Sequence, residues 1–186
     1  PAAVSTSSIL GEPTASMGVD IPLAFLDKTH RLLFDYFKQL FAQVTNPPID
    51  SLREKIVTDT AVYAGNSGIT PAAGEASCTA LRLQSPLLTE EQLAAIKALD
   101  GDGLKAACVS AAYDITDTLE KAVGDMLAEC ERAREGGANI IILSDRGVDK
   151  THAAIPSLLA VSAAAKQLSA RGGKKPASLI LESGEP

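Results

Sequence analysis

The residues best equipped for chemistry stand in one short run, SDRGVDKTHAA, at positions 144–154. Asp145 could serve as a general base or a metal ligand, Arg146 could bind an anion, and His152 belongs to the side-chain type that titrates nearest neutral pH. The run follows NIIIL at 139–143, an apolar stretch of the kind that forms a strand buried on both faces of a parallel sheet. Folds of the α/β class place their active-site loops at the carboxyl ends of such strands. The simpler reading is structural: Asp145 and Arg146 pair and stitch the loop to the sheet end, and His152 faces water or caps a helix. No Cys, further His or second carboxylate motif joins them.

A second candidate group is uncharged. Ser16, Met17 and Gly18, with Gln43, Thr45 and Asn46, offer small or neutral polar side chains that could line a path for an uncharged polar molecule. Pro47 and Pro48 make a stiff corner beside them. The Pro47 ring disfavours a helical conformation at Asn46 and both prolines lack the backbone donor, so a helix arriving from the amino-terminal side has to stop there.

Other familiar sites have no motif. The chain lacks G-x-G-x-x-G after a strand, G-x-x-x-x-G-K-[ST], G-x-S-x-G and H-E-x-x-H. Cys78, Cys108 and Cys130 are widely spaced, and neither they nor His30 and His152 form a metal-ligand pattern; they read as reduced, mostly buried thiols. The net charge of −6 argues against a nucleic-acid partner, which needs a basic face, and Arg171, Lys174 and Lys175 read as a solvated helix end. No apolar run has the length of a membrane span, so no membrane partner is expected.

The elements that must position these residues follow from periodicity. One domain is expected from 186 residues, with aromatics at only 4%, so Ala, Leu, Ile and Val must fill the core. Residues 1–63 read as an amino-terminal loop and helices. Apolar spacing at Leu33, Phe37, Leu40, Phe41 and Val44 predicts a helix over 28–44, and Ser51 with Glu54 predicts a second, with Leu52, Ile56 and Val57 inward. Residues 64–80 read as a linker-like loop.

Residues 81–186 read as βαβ units. LRLQSPLL predicts an extended segment, Thr89 with Gln92 a capped helix to about Leu99, and DGDG at 100–103 its end. KAACVSAAY predicts a strand, and Asp117 with Glu120 caps a helix carrying Leu119, Val123, Met126, Leu127 and Cys130. Pro156 opens another, running to Gly172-Gly173, and ASLILE is the next strand. The fold class expected is α/β, a partial (β/α) barrel-like parallel sheet with helices and an amino-terminal loop-and-helix region. The missing initiator Met and the halt just past a strand lead to the expectation that the chain is a piece of a larger polypeptide.

Several stretches in one colinear order, SMGVDIPLAFL, LLFDYFKQLFAQVTNPPIDSLRE, LQSPLLT, GANIIILSDRGVD, IPSLLAVSA and LILESGEP, resemble the central region of the large (α) subunit of glutamate synthases. The resemblance implies an oxidoreductase that makes two glutamates from glutamine and 2-oxoglutarate, with ferredoxin or a reductant-supplying subunit as electron source, in cytoplasm or plastid stroma. It implies FMN and an iron–sulfur cluster in the full enzyme but none in this segment. The segment would connect adjacent glutaminase and FMN domains, have no activity alone, and form part of an ammonia channel wall. Ser16, Met17, Gly18, Thr45 and Asn46 would line that channel, with Pro47 and Pro48 as its rigid corner. The free-standing alternative is an α/β enzyme with a site at Asp145, Arg146 and His152. The chain departs from the family at SAAAKQL, where several histidines often follow the LLAV stretch, and in its shortened 64–77 segment.

Overall fold

The computed structural model describes residues 21–29, 31–37, 52–66, 79–169 and 177–185. The channel-lining candidates Ser16, Met17, Gly18, Gln43, Thr45 and Asn46, and the corner Pro47-Pro48, lie outside them, as do Cys78, His30 and the Arg171, Lys174, Lys175 cluster. The chain divides into two units, residues 1–54 and 55–186.

In the first unit the Asp27 carboxylate organises its neighbours. It accepts hydrogen bonds from the Thr29 amide (2.8 Å) and hydroxyl (2.6 Å), from Arg31 Nε (2.7 Å) and from the Tyr36 hydroxyl (3.1 Å). The Thr29 hydroxyl and amide, ahead of Arg31 and Tyr36, hold this carboxyl well below the usual range. Of the helix expected over 28–44, the described part is a short 3₁₀ turn, Leu33–Phe37, on which Phe37 is exposed rather than inward. The next helix is a single turn, Glu54–Val57. Leu52, Ile56 and Val57 are exposed, not inward as expected, because one turn cannot present a continuous buried face.

In the second unit a sheet is sandwiched between two apolar layers. Its strands are β3 (Asp100–Gly101), β4 (Leu104–Ser110), β6 (Ile140–Ser144) and β8 (Ser178–Glu182), in the order β3-β4-β6-β8. The pairs β4·β6 and β6·β8 are parallel, and β3·β4 is antiparallel. Before them, β1 (Val62–Asn66) and β2 (Thr79–Leu83) form an antiparallel hairpin, so strand extends into the segment read as a linker. In a further short pair, β5 (Ala112–Asp114) takes up the end of the strand expected from KAACVSAAY, while its partner β7 (His152–Ala154) sits within what the sequence suggests is loop.

The helices are α1 (Glu90–Lys97), α2 (Leu119–Glu135) and α3 (Ser157–Ser169). β6 explains the layering. Side chains alternate along a strand, and Ile141 and Leu143 join the core made with α2 and α3, including Met126, Cys130, Ala160 and Ala164. Ile140 and Ile142 join the opposite core, made with α1 and the β1–β2 hairpin through Leu93, Ile96 and Ala64. All four are fully buried, as the unbroken apolar run requires. The crossovers α2 and α3 share one face, and the sheet does not close into a barrel.

Local chemistry agrees with most of the predicted ends. Thr89 and Gln92 make both bonds of a capping box. α2 is capped by Thr118, not Asp117; the Thr118 hydroxyl accepts from the Lys121 amide, while Asp117 pairs with Lys121. DGDG does more than end a helix. Asp102 (φ 52°) and Gly103 (φ 78°) form a two-residue turn with both central residues left-handed, which joins β3 to β4. Cys130 is buried as expected, but Cys108 is exposed.

Candidate functional site

The carboxyl ends of β6 and β8 meet at Glu182, a residue that the sequence analysis passed over. Its register partner is Ser144, the last residue of β6. Glu182 is buried, and its Oε2 accepts from the Ser144 hydroxyl (2.6 Å) and from Lys97 Nζ (2.7 Å) at the end of α1. Its Oε1 accepts from Arg146 Nε, and Arg146 Nη2 reaches Glu90 Oε1 (2.6 Å) at the start of the same helix. One carboxylate thus ties two strands, the loop after β6 and both ends of α1 together.

Burial pushes the Glu182 carboxyl up, but hydrogen bonds from Lys97, Ser144 and Arg146 outweigh it and hold the pKa lowered to about 2. The Glu182 hydrogen bond, followed by Glu90, raises that of Arg146. The clamp is therefore charged and mutually satisfied. Arg146 has both its arms on carboxylates, which leaves no uncompensated cation to attract an anion.

Asp145 takes a different part. Its Oδ2 accepts from the Ser183 hydroxyl (2.7 Å) and the Gly184 amide (2.9 Å), and its amide donates to the Glu182 carbonyl (3.1 Å). The pairing of Asp145 with Arg146 suggested by the sequence gives way to one in which each holds the end of β8 separately. His152 opens β7, and its Nδ1 lies 2.9 Å from Asp149 Oδ1, which also accepts from the Thr151 amide and hydroxyl and the His152 amide. These bonds, the His152 side chain first, keep the Asp149 carboxyl far below its usual range. Asp145, Arg146 and His152 are thus assigned to three separate sets of partners rather than to one reaction centre.

An open cleft of about 940 Å³ lies beside the clamp, lined along its whole length by β8 and on other sides by Tyr63, Leu83, Leu87, Leu93 and Arg146. Among the described residues no group of three or more His, Cys, Asp or Glu is placed to hold a metal ion. An iron–sulfur cluster does not fit the described thiols. Cys130 is buried in the core under α2 and α3, whereas Cys108, two residues from Ala106 on β4, faces the opposite side of the sheet. No helix among the described residues is long and apolar enough to cross a membrane.

Glu182 was hard to foresee because its partners are 36 to 92 residues away, at Arg146, Ser144, Lys97 and, through Arg146, Glu90. Its only local signal is a carboxylate placed directly after an apolar strand.

Fold and clamp define an α/β domain of parallel strands with crossovers on one face. The chain belongs to the family described as the glutamate synthase central domain, whose model matches residues 6–186. It is 40% identical over 174 residues to the glutamate synthase [NADPH] large chain of Bacillus subtilis, and 41% identical over 180 residues to ferredoxin-dependent glutamate synthase 2 of Synechocystis. It is 38% identical over 180 residues to the chloroplastic ferredoxin-dependent glutamate synthase of rice, Oryza sativa. Each match covers 94% of this chain and 11% of the relative's length.

Proposed function

We propose that this chain is the central connecting domain of a glutamate synthase large chain, and that the full enzyme converts glutamine and 2-oxoglutarate into two glutamates with electrons from ferredoxin or a nicotinamide nucleotide. The observation that carries this reading is the match over 94% of the chain to relatives of whose length it covers 11%. In the full enzyme FMN and an iron–sulfur cluster supply the redox chemistry, held by residues outside this segment; a bacterial form works in the cytoplasm and a plastid form in the stroma. The clamp around Glu182 supports a scaffolding role here, since its charged groups are spent on one another.

Within that role, Ser16, Met17, Gly18, Thr45 and Asn46 line part of the path by which ammonia passes from the glutaminase domain to the FMN domain. Ammonia has to travel uncharged, and a wall of neutral amides, a thioether and backbone stabilises no ammonium ion along the way. Pro47 and Pro48 restrict the backbone beside Asn46 and keep the gap open. The test is Asn46→Trp and Met17→Trp in the full enzyme, with glutamine hydrolysed and glutamate formed both counted. Hydrolysis should exceed synthesis severalfold in the variants while added ammonia still supports synthesis. An unchanged ratio in both variants overturns the channel assignment.

A further inference from the structure

The hairpin from β3 to β4 contains two Asp-Gly links in succession, Asp100-Gly101 and Asp102-Gly103. In such a link the glycine nitrogen can attack the side-chain carboxyl before it, because no Cβ crowds the approach. The structure treats the two links differently. The Ala106 amide donates to the Leu99 carbonyl (3.0 Å), so these residues form a hydrogen-bonded pair, and alternation along an antiparallel ladder makes Gly101 and Leu104 the next one. The Gly101 amide is therefore engaged by Leu104, and the Asp100 carboxylate lies 3.6 Å from Lys105 Nζ.

Asp102-Gly103 has neither restraint. Both residues are exposed, and among the described residues the Asp102 carboxylate, the Asp102 carbonyl and the Gly103 amide have no hydrogen-bonding partner. The bond from Asn139 Nδ2 to the Gly103 carbonyl (2.7 Å) holds the following peptide unit, not this one. The central peptide unit of the turn is thus free on both sides.

One rotation of that unit brings the reacting atoms together. With Asp102 (φ 52°) and Gly103 (φ 78°) both left-handed, the Gly103 nitrogen lies across the Cα–C bond from the Asp102 Cβ. Flipping the central peptide converts the turn to the II′ form, in which Asp102 keeps its positive φ and takes a ψ of about −120°. Nitrogen and Cβ are then eclipsed, as a five-membered ring requires, and the Gly101–Leu104 pair stays intact. The II′ form favours glycine at this first position, so the flipped turn is a minor one and the reaction slow.

We propose that Asp102-Gly103 is a modification site, at which the backbone isomerises without an enzyme to the β-linked, isoaspartyl form. The Gly103 nitrogen bonds to Cγ of the protonated Asp102 carboxyl and loses its proton. The carboxyl hydroxyl leaves with that proton as one water, and a cyclic imide results. One water then opens the imide at either carbonyl, and opening at the backbone carbonyl leaves Gly103 linked through Cγ. Nothing is oxidised or reduced, and the mass is unchanged. The β-linked turn is one carbon longer, so the Gly101–Leu104 register no longer fits and β3 loosens from the start of β4.

The test is peptide mapping of the full polypeptide after incubation at mildly acid pH, native and in guanidinium chloride. Trypsin releases both links in one peptide, residues 98–105, and electron-transfer fragmentation tells which aspartate is β-linked. In the native polypeptide Asp102 should become β-linked at least about tenfold faster than Asp100, roughly the factor that one net hydrogen bond supplies. In denaturant the two should react at similar rates. Equal rates in the native polypeptide, a lead for Asp100, or no reaction at either while the denatured chain reacts would overturn the proposal. A lead for Asp102 that is just as large in denaturant overturns it as well, since the turn would then have no part in it.

Discussion

Replacing Glu182 with Gln tests the clamp directly. The Glu182 side chain is 7% exposed and accepts from Lys97, Ser144 and Arg146. Gln keeps the shape and one acceptor oxygen, but it removes the charge and replaces the other acceptor with an amide donor turned toward Lys97 or Arg146, which can only donate. A net hydrogen bond to a charged group contributes about 1.5–3 kcal/mol. Lys97 and Arg146 are 34% and 58% exposed, so water recovers part of their loss, while the buried Ser144 hydroxyl has no such recourse. The expected cost is about 2–3 kcal/mol, or roughly 6–10 °C in melting temperature for a domain of this size. The pH dependence provides a second reading of the same residue. The folded pKa is depressed from the ordinary 4.5 to about 2, so the carboxylate's contribution is complete above 4.5 and is lost as pH falls toward 2. Melting curves of the 186-residue chain followed by circular dichroism should show a constant gap between parent and E182Q above that range, and the gap should close within it. A melting temperature within about 2 °C of the parent at neutral pH, or a gap that persists at the acid end, would refute the reasoning.

Three further outcomes follow from burial. Cys108 should react with iodoacetamide in the folded chain while Cys130 reacts only after unfolding, because Cys130 is buried and its thiol is pushed up to about 11; equal labelling of both, read by peptide mass, would contradict the packing of α2. Ile141→Ala should cost about 2–5 kcal/mol in urea unfolding, since it empties space between β6 and the two helices. Leu181→Ala on the open edge of the same short chain should cost under about 1 kcal/mol.

The amino-acid order determined those parts of the protein in which neighbours along the chain supply the information. NIIIL specified a strand buried on both faces, Thr89-x-x-Gln92 specified a helix start, and alternation of strand and helix after residue 104 specified parallel pairing. The capping of α2 was a near miss because Asp117 and Thr118 are both able caps, and only the path of the backbone selects Thr118. The tertiary structure decided what the charged residues do. Asp145 and Arg146 are adjacent in sequence, yet one turns to Ser183 and Gly184 and the other to Glu182 and Glu90, because β8 and α1 arrive from distant parts of the chain. Whether a carboxylate at the end of an apolar strand faces water or a lysine, a serine and an arginine depends on which strands lie beside it, and the pairing of β8 with β6 is set by the packing of both sheet faces.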